Sequence, residues 1–330
     1  MKILLTLDYE LFLGSRTGSV ENCLVKPMQQ LNDAVSGVGA RFTIFVDATY
    51  LLRTKQLSIG HAELGQHFDQ LSAHLVELQA QGHDLQLHIH PHWAYSAWEG
   101  GEWRLDHKHY KMSDLELSYA IDLTAQAKEL LDSTIGKKTT ALRAGGFSAQ
   151  PTSMLTKIFD ATGLIADSSV CPGATYDSPQ QQYDYSQAPH ADFYRFDDDI
   201  CVANPNGGFW EFPITMHNVS PVFHWQLVAN KLLKRPEHRT WGDGFAVKTT
   251  NESIVARLTS RQFCQATIDG FKIKFLPEAY RQHHDSQLLT VLGHPKLATP
   301  YSVRHLQRFA QQAVAAGDSF TTISQLIDEQ

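Results

Sequence analysis

Three histidines fall within five residues in segment 88–92, which reads His-Ile-His-Pro-His. Imidazole is the commonest metal ligand in proteins and it titrates near neutral pH, so this cluster has the donors for a metal or a proton transfer. Two carboxylates, Asp8 and Glu10, lie one residue apart near the start of the chain. Two imidazoles and a carboxylate hold Zn²⁺, Co²⁺ or Fe²⁺ while leaving positions for water and substrate. These residue types predict metal-assisted hydrolysis.

The candidate residues stand at the ends of apolar segments. Asp8 and Glu10 end the first one, Arg143 ends a later one, and His294 follows one near the carboxyl terminus. Segment 84–90 alternates, so that its leucines and isoleucine point one way while its glutamine and histidines point the other. In (β/α) barrels the chemistry gathers at the carboxyl ends of the strands. We therefore expect these side chains to converge at a barrel mouth.

Apolar segments rich in β-branched residues alternate with segments of helical period, which is typical of βαβ units. The predicted strands are Lys2–Leu7, Arg41–Val46, Asp84–His90, Thr139–Arg143, Leu164–Asp167, Phe209–Ile214, Leu288–Gly293 and Ser319–Ile323. The predicted helices are Lys26–Ser36, Ala62–Gln81, Asp114–Ser133, Pro151–Thr162, Ser253–Ile268 and Ser302–Ala316. This pattern predicts an α/β fold, and it favours a closed or nearly closed barrel over a doubly wound sheet. We expect a single domain over 1–330, with irregular excursions at about 171–206 and 221–248.

Composition excludes several classes of protein. Of the 330 residues 42% are hydrophobic and 19% charged, which is below the usual share of about 25% charged residues and excludes a disordered chain. With 28 basic and 35 acidic residues the net charge is −7, so no basic field predicts nucleic-acid binding. No apolar run approaches the roughly 18 residues of a membrane span. The four cysteines are scattered without a Cys-x-x-Cys pair, which predicts reduced thiols and a cytoplasmic protein.

Six short segments resemble motifs of the NodB-type polysaccharide deacetylases, carbohydrate esterase family four. Segment 6–10, Thr-Leu-Asp-Tyr-Glu, looks like the first motif, in which an aspartate base precedes a carboxylate ligand directly or after one residue. Segment 82–92 looks like the second motif, which leads into His-x-x-x-His, and segments 142–147 and 291–295 are similar to the third and the last. Segments 167–169 and 211–213 resemble intermediate strand ends. The resemblance implies an irregular (β/α)7 barrel that removes N- or O-acetyl groups with a metal.

Three departures from the family pattern stand out. Tyr9 occupies the place of a second consecutive aspartate, so that either Glu10 supplies the carboxylate ligand or Asp8 serves twice. Gly145 replaces the proline that usually follows the arginine of the third motif. The Asp-Trp element in the middle of the family pattern has no clear match in 176–194.

The resemblance implies a role for each matched residue. The metal ligands are Glu10, His88 and His92, the base is Asp8, Arg143 orients it and His294 is the acid. The residues themselves suggest further roles: Gly146 and Phe147 are candidates for the oxyanion site, because glycine lets the chain approach closely. The candidates for substrate or supporting contacts are His90, Trp93, Trp210 and Glu211. Each also has a structural alternative, such as an exposed loop for Glu10 or a satisfied core histidine for His294.

The leading functional prediction is a cytoplasmic deacetylase that hydrolyses the acyl amide of an amino sugar or glycan precursor, with zinc the first choice of metal and cobalt or iron next. Such an activity fits the biosynthesis of a surface polysaccharide. Two alternatives stay open: a metal-independent cyclic amidase similar to the allantoinase-like relatives, and a non-catalytic carbohydrate-binding barrel. The sugar, the acyl group and the oligomeric state are not predicted.

Overall fold

The computed structural model describes residues 1–233, 235–246 and 261–330. It divides the chain into two compact units. The first unit comprises Met1–Arg41 and Thr215–Thr321, and the second comprises Phe42–Ile214 and Thr322–Gln330. The expectation of one domain over the whole chain stays a prediction.

Parallel strands and helices alternate along both units. The strands are β1 (Lys2–Tyr9), β2 (Thr43–Asp47), β3 (Asp84–Ile89), β4 (Ala97–Glu99), β5 (Glu102–Arg104), β6 (Ala141–Ala144), β7 (Ala166–Asp167), β8 (Thr175–Asp177), β9 (Gln182–Asp184), β10 (Tyr194–Phe196), β11 (Phe209–Glu211), β12 (Met216–Val219), β13 (Gln262–Gln265), β14 (Leu288–Val291) and β15 (Ser319–Thr321). The α-helices are α1 (Lys26–Ser36), α2 (Ala48–Ser58), α3 (Ala62–Ala80), α4 (Leu117–Ile135), α5 (Thr152–Thr162), α6 (Pro221–Leu233), α7 (Leu276–Gln282), α8 (Pro300–Ala315) and α9 (Ile323–Asp328). Among the described residues, no helix combines the length and the hydropathy of a membrane span.

In the first unit, β1 pairs in parallel with both β14 and β15. After Lys2 every residue of β1 is buried, as expected for a parallel strand that is covered on both faces. The main-chain N–H of Asp8 donates to the carbonyl of Gly293 at 2.8 Å, so the end of β1 is held beside the residue that precedes His294. Helix α8 starts at a capping box in which the Thr299 hydroxyl accepts from the Ser302 N–H.

In the second unit, β2, β3, β6, β7 and β11 follow one another in a parallel sheet, and β10 is antiparallel at the edge. The register places Asp47 beside His88 and His88 beside Arg143. It also places Asp167 beside Glu211. Polar residues from consecutive strands therefore stand in a row at the carboxyl end of this sheet.

Most of the predicted elements are present with shifted ends, and the α/β class is confirmed. Helix α2 was missed because it follows β2 without a loop. Asp47, the last residue of β2, is also the N-cap of the helix, and its carboxylate accepts from the Tyr50 N–H. The predicted helix Ser253–Ile268 is wrong over Gln262–Gln265, which form β13, while 253–260 lie outside the described residues. Antiparallel pairing of β13 with β12 overrides the local preference.

The two predicted excursions contain short regular elements. The first, 171–206, holds the β8–β9 hairpin and strand β10. The second, 221–248, starts with α6, and its residues 234, 247 and 248 lie outside the described part of the chain. Helix α6 exposes Val222, Trp225 and Leu232.

Candidate active site

The carboxylates of Asp8 and Glu10 are buried in the first unit, with 2% and 6% of their surfaces exposed. The exposed-loop alternative for Glu10 is therefore wrong. A buried carboxylate is stable only when cations or hydrogen-bond donors surround it. In the first unit those partners come from the segments on either side of β14.

His294 is the first partner. Its Nε2 lies 3.6 Å from Oδ2 of Asp8 and 3.7 Å from Oε1 of Glu10. On the other side of the ring, Nδ1 donates to Oδ2 of Asp269 at 2.9 Å, and the His294 main-chain N–H donates to Oδ1 of the same carboxylate at 2.8 Å. Asp269 thereby fixes both the position and the tautomer of the imidazole, leaving Nε2 directed at the acidic pair.

The pKa values of Asp269 and His294 move in opposite directions. Burial alone would raise the pKa of Asp269, but the charge and hydrogen bonds of His294, with a smaller contribution from Lys272, hold it below its usual value. Burial would lower the pKa of His294, and the Asp269 carboxylate outweighs burial and raises it, with a further contribution from Asp8. His294 is thus favoured as an imidazolium that carries a proton on Nε2.

Lys296 is the second partner. Its Nζ donates to Oε1 of Glu10 at 2.9 Å and to the carbonyl of Leu11 at 2.7 Å, and it lies 5.3 Å from the ring centroid of Phe12. The residue is only 7% exposed. A buried ammonium is stabilised when an anion lies adjacent to it, as Glu10 does here.

The sequence analysis missed both Asp269 and Lys296. Asp269 ends the segment Thr267–Ile268, and Thr267 bridges to Leu292 in parallel, so it stands at a strand end like the other site residues. The wrongly predicted helix over 253–268 concealed this strand end. For Lys296 the available signal was a cation two residues after His294 in the motif His-Pro-Lys.

The imidazoles belong to the second unit. Nδ1 of His88 lies 2.7 Å from the carbonyl of Arg143, and it is the donor of this hydrogen bond because a carbonyl can only accept. In the neutral imidazole, the other nitrogen, Nε2, is then the atom with a free lone pair for a metal. An orienting hydrogen bond from one ring nitrogen is typical of histidines that bind metals through the other.

His90 and His92 are also buried, and the three imidazole rings are neighbours in a row. Ring centroids are 4.7 Å apart for His88 and His90, and 5.4 Å apart for His90 and His92. The His92 ring stacks on Tyr110 at 4.8 Å. A Cβ on Gly145 would lie 2.5 Å from Nδ1 of His90, so the backbone there packs directly against this ring. This contact explains why glycine stands at a position where the family pattern has proline.

Arg143 is fully buried, with 0% exposure. Its Nε donates to the carbonyl of Ser168 at 2.7 Å, its Nη2 donates to the Ser168 hydroxyl at 2.8 Å, and its guanidinium lies over the ring of Phe45. These contacts fix the guanidinium rigidly. The expected orientation of Asp8 by Arg143 stays a prediction.

The 3₁₀ turn Gly145–Phe147 follows β6, with both Gly146 and Phe147 at φ 59°. The Gly146 carbonyl accepts from Nε2 of Gln181 at 2.8 Å, and the Phe147 carbonyl accepts from the Tyr185 hydroxyl at 2.6 Å. Carbonyl and N–H point in opposite directions across a trans peptide, so the Phe147 N–H points away from Gln181. The 171–206 excursion thus fixes the orientation of the turn proposed for the oxyanion.

The carboxyl groups of Glu211 and Asp167 form a second buried set, and a side-chain hydrogen bond joins them. Asp167 accepts from the Ser169 N–H at 2.7 Å and from the Ser169 hydroxyl at 3.0 Å, and Glu211 accepts from the Val170 N–H at 3.1 Å. Burial raises the pKa of Asp167 to about 6, and burial with the Asp167 charge raises that of Glu211 well above its ordinary value. The pair therefore retains a proton, which we place on Glu211 because Asp167 already accepts two hydrogen bonds.

The two predicted tryptophans have different surroundings. Trp93 is fully buried, its Nε1 donates to Asp47 at 2.6 Å, and its ring packs on Tyr50 and Trp103. Trp210 is partly exposed, and the Arg195 guanidinium lies 5.0 Å from its ring. Trp93 therefore has a packing role, while a sugar contact for Trp210 stays a prediction.

An open cavity of about 890 Å³ lies beside the start of α5 and the β8–β9 hairpin in the second unit. Its lining is polar and includes Gln150, Tyr183 and the aspartates 177, 184, 198 and 199. Gln150 follows the Gly145–Phe147 turn by three residues. Its side-chain Nε2 donates to the Asp184 carbonyl, and its Oε1 accepts from the Asp184 N–H. The volume suits a sugar unit or more.

No family model matches the sequence, and no curated protein is significantly similar to it. Among solved structures, one described as a polysaccharide deacetylase from Mycobacterium smegmatis is 13% identical, with a TM-score of 0.53 over 99% of this chain and 89% of that one. A family 4 carbohydrate esterase from Streptomyces lividans is 12% identical, with a TM-score of 0.42 over 98% and 92% of the two chains. Puue allantoinase is 13% identical, with a TM-score of 0.48 over 98% and 88%. The first likeness shows the fold and confirms the predicted α/β barrel class.

Proposed function

We propose that this protein is a metal-dependent hydrolase that removes an acetyl or similar acyl group from the nitrogen of an amino sugar or glycan precursor. The observation that carries the proposal is the buried chain Asp269–His294–Asp8, in which one imidazole joins two carboxylates. An acid and a base of this kind, held side by side away from water, are what amide hydrolysis requires. The motifs that resemble family four contain Asp8 and His294, in that order, and not Asp269.

Observations within each unit support metal binding: Glu10 is a buried carboxylate of the first unit, and His88 and His90 are neighbouring buried imidazoles of the second. The motif resemblance assigns His92 as the second imidazole ligand, and His90 is its alternative. The residues fit a divalent metal, since the His88 Nδ1 bond to Arg143 leaves Nε2 as a ligand atom. When bound, Zn²⁺, Co²⁺ or Fe²⁺ would acidify a water and polarise the acyl carbonyl.

The residues of the chain supply the proton transfers. Asp8 takes the proton of the attacking water, and His294 gives its Nε2 proton to the departing amine, which is otherwise too poor a leaving group. Asp269 keeps His294 protonated through the Nδ1 bond. The Phe147 N–H, oriented by the bonds of Gln181 and Tyr185, stabilises the developing oxyanion.

The substrate is an acylated amino sugar carried by a precursor that reaches the cytoplasm. The open cavity beside the start of α5 supports a sugar, since its lining combines the ring of Tyr183 with side chains that can hydrogen-bond sugar hydroxyls. The scattered cysteines support a reducing location. Such an activity fits a role in surface polysaccharide biosynthesis.

A metal-independent cyclic amidase is the second candidate. Lys296 favours it, because the ammonium already neutralises Glu10 and so supplies a positive charge where a metal would otherwise be needed. Metal analysis separates the two candidates.

The test is elemental analysis of the purified protein combined with acetate release from a panel of N-acetylated sugars, for the wild type and His88→Ala, His90→Ala, His92→Ala and Asp8→Asn. We expect one bound metal, its loss in His88→Ala and in one of the other two histidine variants, and a fall in acetate release of about 10²-fold or more in Asp8→Asn with the metal retained. The variant that keeps its metal identifies the imidazole that is not a ligand.

Two outcomes would count against the proposal. Full activity of the metal-stripped protein on a cyclic amide, with none on acetylated sugars, would establish the second candidate. Sugar binding by calorimetry without turnover under any metal would make the protein a carbohydrate-binding barrel.

A further inference from the structure

Lys296 and Glu10 form a buried ion pair between residues 286 positions apart in the sequence. Both side chains are more than nine-tenths buried, at 9% and 8% exposure, and the Nζ to Oε1 distance of 2.9 Å is that of a charge-assisted hydrogen bond. The reaction steps assigned above to Asp8, His294 and Phe147 do not use this lysine.

The lysine is also held independently of Glu10. Its Nζ donates to the Leu11 carbonyl at 2.7 Å and lies over the Phe12 ring. The ammonium therefore has two interaction partners besides Glu10, a main-chain carbonyl and an aromatic ring, and neither depends on the carboxylate. An ammonium with such a site can give up its carboxylate partner without leaving a buried donor unpaired.

Lys296 supplies positive charge beside a cluster of buried carboxylates. Asp8, Glu10 and Asp269 are all buried, and His294, which bonds Asp269, lies 3.7 Å from Oε1 of Glu10. Removing the ammonium that contacts Glu10 at 2.9 Å therefore destabilises this carboxylate, and another cation in the same place would restore the lost stabilisation.

We propose that the Lys296 ammonium and a divalent metal ion are alternative counter-ions of Glu10, so that the protein is stable without metal and metal binding weakens the Lys296–Glu10 ion pair. This inference rests on the metal site of the proposed function. Lys296 thereby lowers the affinity for metal, both by occupying the carboxylate and by placing a positive charge next to the incoming cation.

The experiment compares wild type, Lys296→Met and Lys296→Arg for zinc affinity, by competition with a chromogenic chelator at pH 8, and for melting temperature in EDTA and in zinc. Methionine keeps the length of the side chain without its charge, and arginine keeps the charge. Lys274→Met is the matched control, because Lys274 is an exposed lysine of the first unit that donates to Gln226 and lies over the ring of Phe271.

We expect Lys296→Met to bind zinc at least about tenfold more tightly than wild type. We also expect it to melt several degrees lower in EDTA and to recover with zinc, whereas wild type changes little. Lys296→Arg and Lys274→Met should match wild type in zinc affinity. The combined result supports the inference through binding and stability alone, without an activity measurement.

Equal or weaker zinc binding by Lys296→Met would overturn the inference while leaving the proposed function intact. Absence of zinc binding by both wild type and Lys296→Met would overturn the metal site of the proposed function and the inference with it. If Lys296→Met does not fold in EDTA, Glu10→Gln/Lys296→Met removes both charges and should fold without metal. Failure of that double variant would show that Lys296 acts through packing, against the inference.

Discussion

Two sets of buried carboxyl-bearing residues, one in each unit, are stabilised in different ways. In the first unit, Glu10 and Asp269 each contact a cationic side chain, Lys296 and His294 respectively, and the contact with His294 holds the pKa of Asp269 below its usual value. In the second unit, Glu211 and Asp167 face each other, and burial raises both pKa values until the pair retains a proton.

The difference shows which group is prepared for chemistry. A carboxylate that is paired with a cationic side chain can exchange that cation for another or polarise a proton on its partner. A carboxyl pair that holds its own proton, with backbone donors from Ser169 and Val170, is already satisfied. We therefore place the chemistry at the first group and a structural role at the second, where a substrate contact of Glu211 stays a prediction.

The largest expected effect is on turnover in Asp269→Asn. Asparagine has one acceptor oxygen for the two hydrogen bonds from His294 and supplies no charge, so the pKa of His294 should fall and the acid form should be lost at lower pH. We expect kcat to drop about 10²-fold, with the high-pH limb of the pH–rate profile shifted to lower pH.

Asp269→Glu keeps the charge and should recover part of the activity and the position of that limb. An unshifted limb in Asp269→Asn would show that His294 is not the acid. Circular dichroism of both variants confirms that the fold is retained.

The next effect concerns stability in Glu211→Gln, which mimics the protonated acid. Because the folded pKa of Glu211 is raised above its ordinary value of 4.5, the stability that the acid contributes is present below that value and is lost as pH rises. The variant lacks this loss, so its stability relative to wild type should increase by about 1.4 kcal/mol per pH unit above pH 5.

Urea unfolding of wild type and Glu211→Gln at pH 5, 6, 7 and 8 measures this slope. Asp167→Asn is the control, because its amide cannot accept both Ser169 bonds, and it should be destabilised at every pH. A pH-independent difference between Glu211→Gln and wild type would show that the pair is ionised in both states.

The smallest effect is expected for Ser169→Ala. The Ser169 hydroxyl donates to Asp167 and accepts from the Ala144 N–H, and all three groups are buried. Its removal leaves that N–H unsatisfied and should cost about 1–2 kcal/mol of unfolding free energy in urea. Ser36→Ala, on the exposed end of α1, should cost less than about 0.5 kcal/mol.

Sequence patterns predicted the parts of this protein that depend on neighbouring residues. Alternation in segment 84–90 identified strand β3 and the face that carries His88 and His90. Apolar periodicity gave α1 with its observed bounds, Lys26–Ser36. Local preference was wrong over Gln262–Gln265, where pairing with β12 makes a strand, and that error hid Asp269 at the following strand end.

The sequence by itself determined the α/β class and the residue types of the site, because these follow from the spacing of apolar and polar residues along the chain. Only the tertiary structure decided the partners of those residues: Asp269 for His294, Lys296 for Glu10, and Asp167 for Glu211. The physical reason is that a buried charge is stabilised by whatever stands within about 4 Å, and for Glu10 that neighbour is 286 residues away in the sequence.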